Sequence, residues 1–171
     1  MAYNQKKIYE QAEEDAIPTM GIKESLQYFD KKNQFKNEKE LIENVLPHLG
    51  DLIKRIYGYD VESIELEKSF NLRLHDLPNQ RVDIFCTTKQ GVDLFIECKN
   101  PTNNYGELNL CLGQMMNYQM IIEALVNPTK LILITSRFHF YLARTAKRFN
   151  LNYDVILHNK KTTMFLLNSE L

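Results

Sequence analysis

Long hydrophobic runs are missing from this 171-residue chain. No apolar stretch approaches the roughly 20 residues that cross a bilayer as a helix. The opening "MAYNQKKIYEQAEED" is too polar for a secretory signal, so no membrane association is expected and a cytoplasmic location is the default. Cysteine is scarce. Cys86, Cys98 and Cys111 are an odd number without metal-ligand spacing, which points to small buried fillers in a reducing compartment. His48, His75, His139 and His158 form no H-x-H or H-E-x-x-H pattern, which argues against zinc hydrolysis. Neither G-x-x-x-x-G-K-S/T nor G-x-S-x-G occurs, so an NTP motor and one hydrolase class drop out. Charge of one sign is lacking too. A net charge of −1 excludes a polycation that coats nucleic acid nonspecifically, though not a local basic patch.

What remains is the composition of an ordinary globular domain, 44% hydrophobic and 25% charged. Residues 1–34 are polar, contain Pro18 and Gly21, and read as an N-terminal helical arm with a short amphipathic patch at Ile22, Leu26 and Phe29. Residues 35–171 form the main domain. Leu41, Ile42, Val45, Leu46, Leu49 and Ile53 recur at helical spacing behind Asn37, a good capping residue. "VESIELEKSFNLRL" alternates like a strand. "QRVDIFCTT" and "GVDLFIECK" flank a tight "KQG" turn and predict a hairpin whose second strand is covered on both faces. The stretch "ELNLCLGQMMNYQMIIEALV" carries a helical stripe, and "KLILIT" after Asn127-Pro128 reads as a buried strand. A helix around "FYLARTAKRFN" and strands around "DVILH" and "TMFLL" complete the chain. The class is therefore α/β, with a central order of helix, three strands, helix, strand.

The hairpin holds the unusual chemistry. Glu97 and Lys99 end an otherwise apolar strand and share one face, because strand side chains alternate. The hairpin brings Asp83 within cross-strand reach of them. Neighbouring carboxylates repel unless a cation lies between them, and Mg²⁺ is bound by one or two carboxylates with waters and substrate phosphates. Lys99 beside such an ion would orient or help deprotonate a water and stabilise a charged transition state. The helical wheel puts Glu38 on the apolar side of its helix, either for a role at this site or simply as an acid favoured in a first turn.

Asp83 followed by Glu97-Cys98-Lys99 resembles the PD-(D/E)xK nuclease signature, with Val82 in place of the name-giving proline. Gln114 and Tyr118 resemble the Q-x-x-x-Y element of RecB-like nucleases and of the nuclease domain of type I restriction enzymes, to which "IECKNP" is particularly similar. The likeness covers about residues 37–135. It implies a restriction endonuclease-like αβββαβ core with a mixed central sheet flanked by helices. It also implies Mg²⁺-dependent phosphodiester hydrolysis, with Mn²⁺ able to substitute, acting on nucleic acid and normally on DNA. Under that resemblance Asp83, Glu97 and the Cys98 backbone carbonyl hold the metal. Lys99 activates water, Glu38 and Gln114 complete the catalytic set, and Tyr118 lines the substrate cleft. The helicase motor fused to type I enzymes is not part of the pattern here.

Arg144, Lys147 and Arg148 share a predicted helix face that would grip phosphates or merely be solvated. Gln114 and Tyr118, at i, i+4 spacing, would equally suit a plain helix face with a half-buried tyrosine. The rival expectation is a noncatalytic module of the same fold that binds a protein or nucleic-acid partner. A homodimer or a partner subunit fits either reading.

Overall fold

The computed structural model describes residues 33–70, 79–100, 105–136, 147–161 and 163–166. The expected arm (1–34) and the segment holding Arg144 fall almost wholly outside these residues.

Helix formation begins where the sequence signals it. Asn37 takes an extended conformation, and its side chain accepts a hydrogen bond from the Glu40 N–H at 2.9 Å, which caps α1 (Glu38–Val45). The long amphipathic stripe does not continue as one helix. Pro47 lies in a 3₁₀ turn (Leu46–His48) that separates α1 from α2 (Leu49–Tyr57). Proline lacks the N–H that an uninterrupted α-helix would use, so the break falls there. Gly58, at φ 74°, ends α2 in the left-handed conformation glycine adopts without strain.

Six strands follow: β1 (Val61–Phe70), β2 (Gln80–Thr88), β3 (Asp93–Lys99), β4 (Thr129–Thr135), β5 (Asp154–His158) and β6 (Thr163–Leu166). The helix α3 (Tyr105–Glu123) connects β3 to β4. The strands lie side by side in sequence order in one sheet. Strands β3, β4 and β5 run parallel, while β1–β2, β2–β3 and β5–β6 pair antiparallel, so the sheet is mixed. At the β2–β3 turn Gly91, at φ 74°, donates from its N–H to the Thr88 carbonyl at 3.0 Å.

Period-two alternation divides the core into two layers. Phe95, Leu131, Leu133, Val155 and Leu157 pack with Leu108, Met115 and Ile121 of α3. Leu94, Ile96, Ile132, Ile134 and Ile156 pack with Leu41, Val45, Leu49 and Ile53 of α1 and α2. The molecule is thus a mixed α/β layered fold with helices on both sheet faces. Each fully buried aliphatic side chain contributes about 1.5–3 kcal/mol. Cys86, Cys98 and Cys111 are free and buried, as their scarcity suggested. No described helix is long and apolar enough to cross a membrane.

One irregularity interrupts the ladder. The β1–β2 pairing runs from Leu66–Ile84 to Lys68–Val82 and skips the step that would join Glu67 to Asp83. Glu67 has φ 52°, a left-handed conformation that is costly for a residue with a side chain. The β2–β3 pairing likewise stops at Ile84–Ile96. Asp83 therefore lies outside the regular pairing on both sides, although the β1–β2 register is unchanged across Glu67.

Candidate functional site

The C-terminal end of β3 gathers the charged residues singled out above. Glu97 faces the α3 layer and is completely buried. Its Oε2 lies 2.8 Å from the Tyr118 hydroxyl, and its Oε1 lies 2.7 Å from Lys99 Nζ. The Lys99 contact is an ion pair at hydrogen-bond length. Lys99 also reaches Glu38 Oε2 at 3.3 Å, across the sheet end from the opposite helical layer. Outside the ladder, Asp83 accepts a hydrogen bond from the Cys98 N–H at 2.8 Å. Within a strand the N–H and C=O of one residue point to the same side. The Cys98 carbonyl therefore also faces Asp83.

Electrostatics follow from this crowding. Burial, then the neighbouring Asp83 charge, push the Glu97 carboxyl up to about 7, against the opposing pull of Lys99 and Tyr118. Burial alone would lower Lys99, but Glu97, then Glu38 and Asp83, outweigh it and hold the ammonium above the ordinary lysine range. Glu38 is raised by burial, which Lys99 partly offsets, with Asp83 and Glu107 adding repulsion. Lys99 is thus a firmly protonated cation surrounded by three acids, one of which takes up a proton near neutrality.

Tyr118 supports that proton count. Its hydroxyl lies 2.7 Å from the Arg81 carbonyl as well as 2.8 Å from Glu97 Oε2. One hydroxyl proton serves one acceptor. Both contacts are satisfied when neutral Glu97 donates to the tyrosine oxygen and the tyrosine donates to Arg81.

A cleft of about 390 Å³ opens above Lys99. Lys36, Asn37 and Glu38 line it from the start of α1, Lys99 and Asn100 from β3, and Glu107, Leu108, Leu110, Cys111 and Gln114 from α3. Asn100 is held in place by donating to the Phe35 carbonyl at 2.8 Å and by accepting from the Ser136 hydroxyl.

Of the residues named from sequence, Asp83, Glu97, Cys98, Lys99 and Glu38 come together, and Gln114 lines the same cleft. Tyr118 is a correction. It does not line this cleft, being fully buried beneath Glu97, because its ring is part of the α3-side core. Lys147 and Arg148 are exposed and do not line the cleft, and Arg144 lies outside the described residues. Sequence reasoning missed Glu107, which sits two helical turns before Gln114 and so had a readable signal on the same face. It also missed Lys36 and Asn100, which carry no such periodicity.

Among the described residues, no group of three or more His, Cys, Asp or Glu side chains is placed to hold a metal ion. Mg²⁺ does not need one, since one or two carboxylates with waters and substrate phosphates suffice. Glu97 and Asp83, close enough that Asp83 raises the proton affinity of Glu97, are a carboxylate pair of the kind such an ion takes. No protein-family model, curated protein or solved structure matches this chain.

Proposed function

We propose that this chain is a Mg²⁺- or Mn²⁺-dependent nuclease of the PD-(D/E)xK kind, on a restriction endonuclease-like core, with DNA as the expected substrate. The observation that carries the reading is the fully buried Glu97, ion-paired at 2.7 Å with Lys99 and repelled by Asp83, in a cluster where three acids share one ammonium. Carboxylates crowded together in this way favour a further cation between them.

In this reading Asp83, Glu97 and the Cys98 carbonyl hold the ion. A bound divalent ion polarises a phosphoryl oxygen and lowers the pKa of its water. Lys99 keeps its proton at Nζ and donates from it to the attacking water or the scissile phosphate. Its raised affinity for that proton makes it an orienting and charge-stabilising group rather than the base. Glu38 braces Lys99 from the other layer, Tyr118 fixes Glu97, and Gln114 with Asn100 orients what enters the cleft. Lys36 at the cleft wall offers a cation to a neighbouring phosphate.

A second reading, a noncatalytic binding module, draws support from charge balance in the cleft. Two lysines, Lys36 and Lys99, face two glutamates, Glu38 and Glu107. One experiment separates the two. Purified protein is incubated with single-stranded, duplex and branched DNA and with RNA, in Mg²⁺, Mn²⁺ or EDTA. Cleavage that needs the metal and drops at least about 10²-fold in folded Asp83→Ala and Lys99→Ala variants is expected. Binding without cleavage, or variants that cut at the wild-type rate, would falsify the nuclease assignment.

A further inference from the structure

Lys36, Asn37 and Glu38 line the cleft, yet residues 34–37 belong to no helix or strand. A segment without a ladder must have its backbone groups satisfied from elsewhere. The Asn33 carbonyl accepts from the Lys160 N–H at 3.0 Å, and the Lys36 N–H donates to Glu40 Oε2 at 2.6 Å. The Phe35 ring is buried in the α1-side core and stacks on His158, with centroids 5.7 Å apart. The Phe35 carbonyl accepts from the Asn100 side chain at 2.8 Å. That last bond ties the segment to the residue next to Lys99.

The Asn100 amide has one orientation that satisfies both of its partners. A backbone carbonyl accepts and never donates, so the amide nitrogen must face Phe35. The amide oxygen then accepts from the Ser136 hydroxyl. Ser136 is completely buried just past β4, and its own N–H donates to the Lys99 carbonyl at 3.3 Å. The path is therefore continuous. Ser136 holds Asn100, Asn100 holds Phe35, and the chain runs from Phe35 to Glu38, which returns to Lys99 at 3.3 Å. Aspartate in place of Asn100 would set an acceptor against the Phe35 carbonyl, and alanine would offer it nothing.

We infer that Asn100 is a positioning residue: it fixes the wall that carries Lys36 and Glu38, and thereby the contact of Glu38 with the Lys99 ammonium. This role is separate from any contact with substrate, and its consequence for catalysis rests on the nuclease reading above. A misplacement of about 1 Å among groups that act together costs on the order of 10²-fold in rate.

The Lys99 ammonium reports that contact by NMR without substrate or metal. Its Nζ resonance in isotope-labelled protein is assigned by its loss in Lys99→Arg. Hydrogen exchange with water is then measured for wild type, Asn100→Ala, Glu38→Ala and the double variant. Asn100→Ala should speed exchange by about 2–10-fold, the range of one ordinary hydrogen bond. On top of Glu38→Ala the same substitution should add nothing, because Asn100 acts through Glu38. Ser136→Ala, a gentler change, should shift exchange in the same direction and carries the cycle if Asn100→Ala does not fold. With nucleic acid and Mg²⁺, Asn100→Ala should lower kcat on the order of 10²-fold, while Mn²⁺ binding at Asp83 and Glu97 stays at the wild-type level. Exchange unchanged in both Asn100→Ala and Ser136→Ala overturns the inference. So do effects of Asn100→Ala and Glu38→Ala that simply add. A wild type that cleaves nothing counts against the nuclease reading, and the ammonium measurement then decides this inference by itself.

Discussion

The two ends of the parallel strands carry nearly the same three side chains in opposite states. At the N-terminal ends of β4 and β5, the buried Asp154 accepts from the Tyr57 hydroxyl at 2.9 Å and pairs with Lys130 at 3.4 Å. At the C-terminal end of β3, the buried Glu97 has Tyr118 at 2.8 Å and Lys99 at 2.7 Å. Both places thus hold a carboxylate, a lysine and a tyrosine. Around Asp154 the ion pair is one carboxylate with one half-exposed ammonium. Around Glu97 there are two further acids, Asp83 and Glu38, for the single Lys99 ammonium. Residue types therefore do not distinguish a structural cluster from a candidate site. Excess negative charge does.

Removing the carboxylate from each end should expose this contrast most strongly. Asp154→Ala removes the hydrogen bond from Tyr57 and the ion pair with Lys130 and is expected to cost about 2–4 kcal/mol in denaturant unfolding. Glu97→Gln is expected to act with the opposite sign. The folded state raises the Glu97 carboxyl from 4.5 to about 7, so its favourable contribution is complete below pH 4.5 and lost as pH rises through about 7. At about pH 8 the metal-free Gln variant should exceed wild type by about 3 kcal/mol, and near pH 5 the gap should close. A gap that does not change with pH would show that Glu97 keeps an ordinary affinity for its proton.

Divalent ions should separate the ends next. Mn²⁺ at about 100 times its dissociation constant should stabilise wild type by about 2.7 kcal/mol. Asp83→Asn and Glu97→Gln should lose that gain, while Asp154→Asn keeps it. Thermal unfolding with and without Mn²⁺ measures this, and an equal rise in all three variants would place the ion elsewhere. The smallest effect concerns the strand opposite Asp83. Glu67→Gly relieves the left-handed conformation at an exposed position and should stabilise the fold by about 1 kcal/mol. Unchanged stability would mean that Glu67 carries little strain.

Much of this was legible in the chain. Alternation in "DLFIECK" placed Glu97 and Lys99 on one face, and helical spacing placed Glu38 toward the sheet. Both depend only on the fixed periods of strand and helix. The stripe from Leu41 to Ile53 reads as one helix, yet Pro47 lies within it and the structure has two helices parted by a 3₁₀ turn. The family resemblance put Tyr118 at the cleft, while its i, i+4 spacing with Gln114 equally suited a buried tyrosine. Spacing cannot report depth, and Tyr118 joins the α3-side core. Asp83 was placed beside its partners by the hairpin, yet its position outside the ladder left no trace in composition or period.

The central order of helical segment, three strands, helix and strand, the two-faced burial of β3 and the meeting of Asp83, Glu97 and Lys99 were determined by sequence alone. Local sterics and the alternation of apolar with polar residues act over a few neighbours and need no further information. Which acid would be pushed toward its neutral form, which tyrosine would be buried and where the cleft would open were decided only by tertiary structure. Desolvation and charge repulsion depend on what arrives from distant segments, Glu38 from one layer and Tyr118 from the other, and no short stretch of chain encodes that meeting.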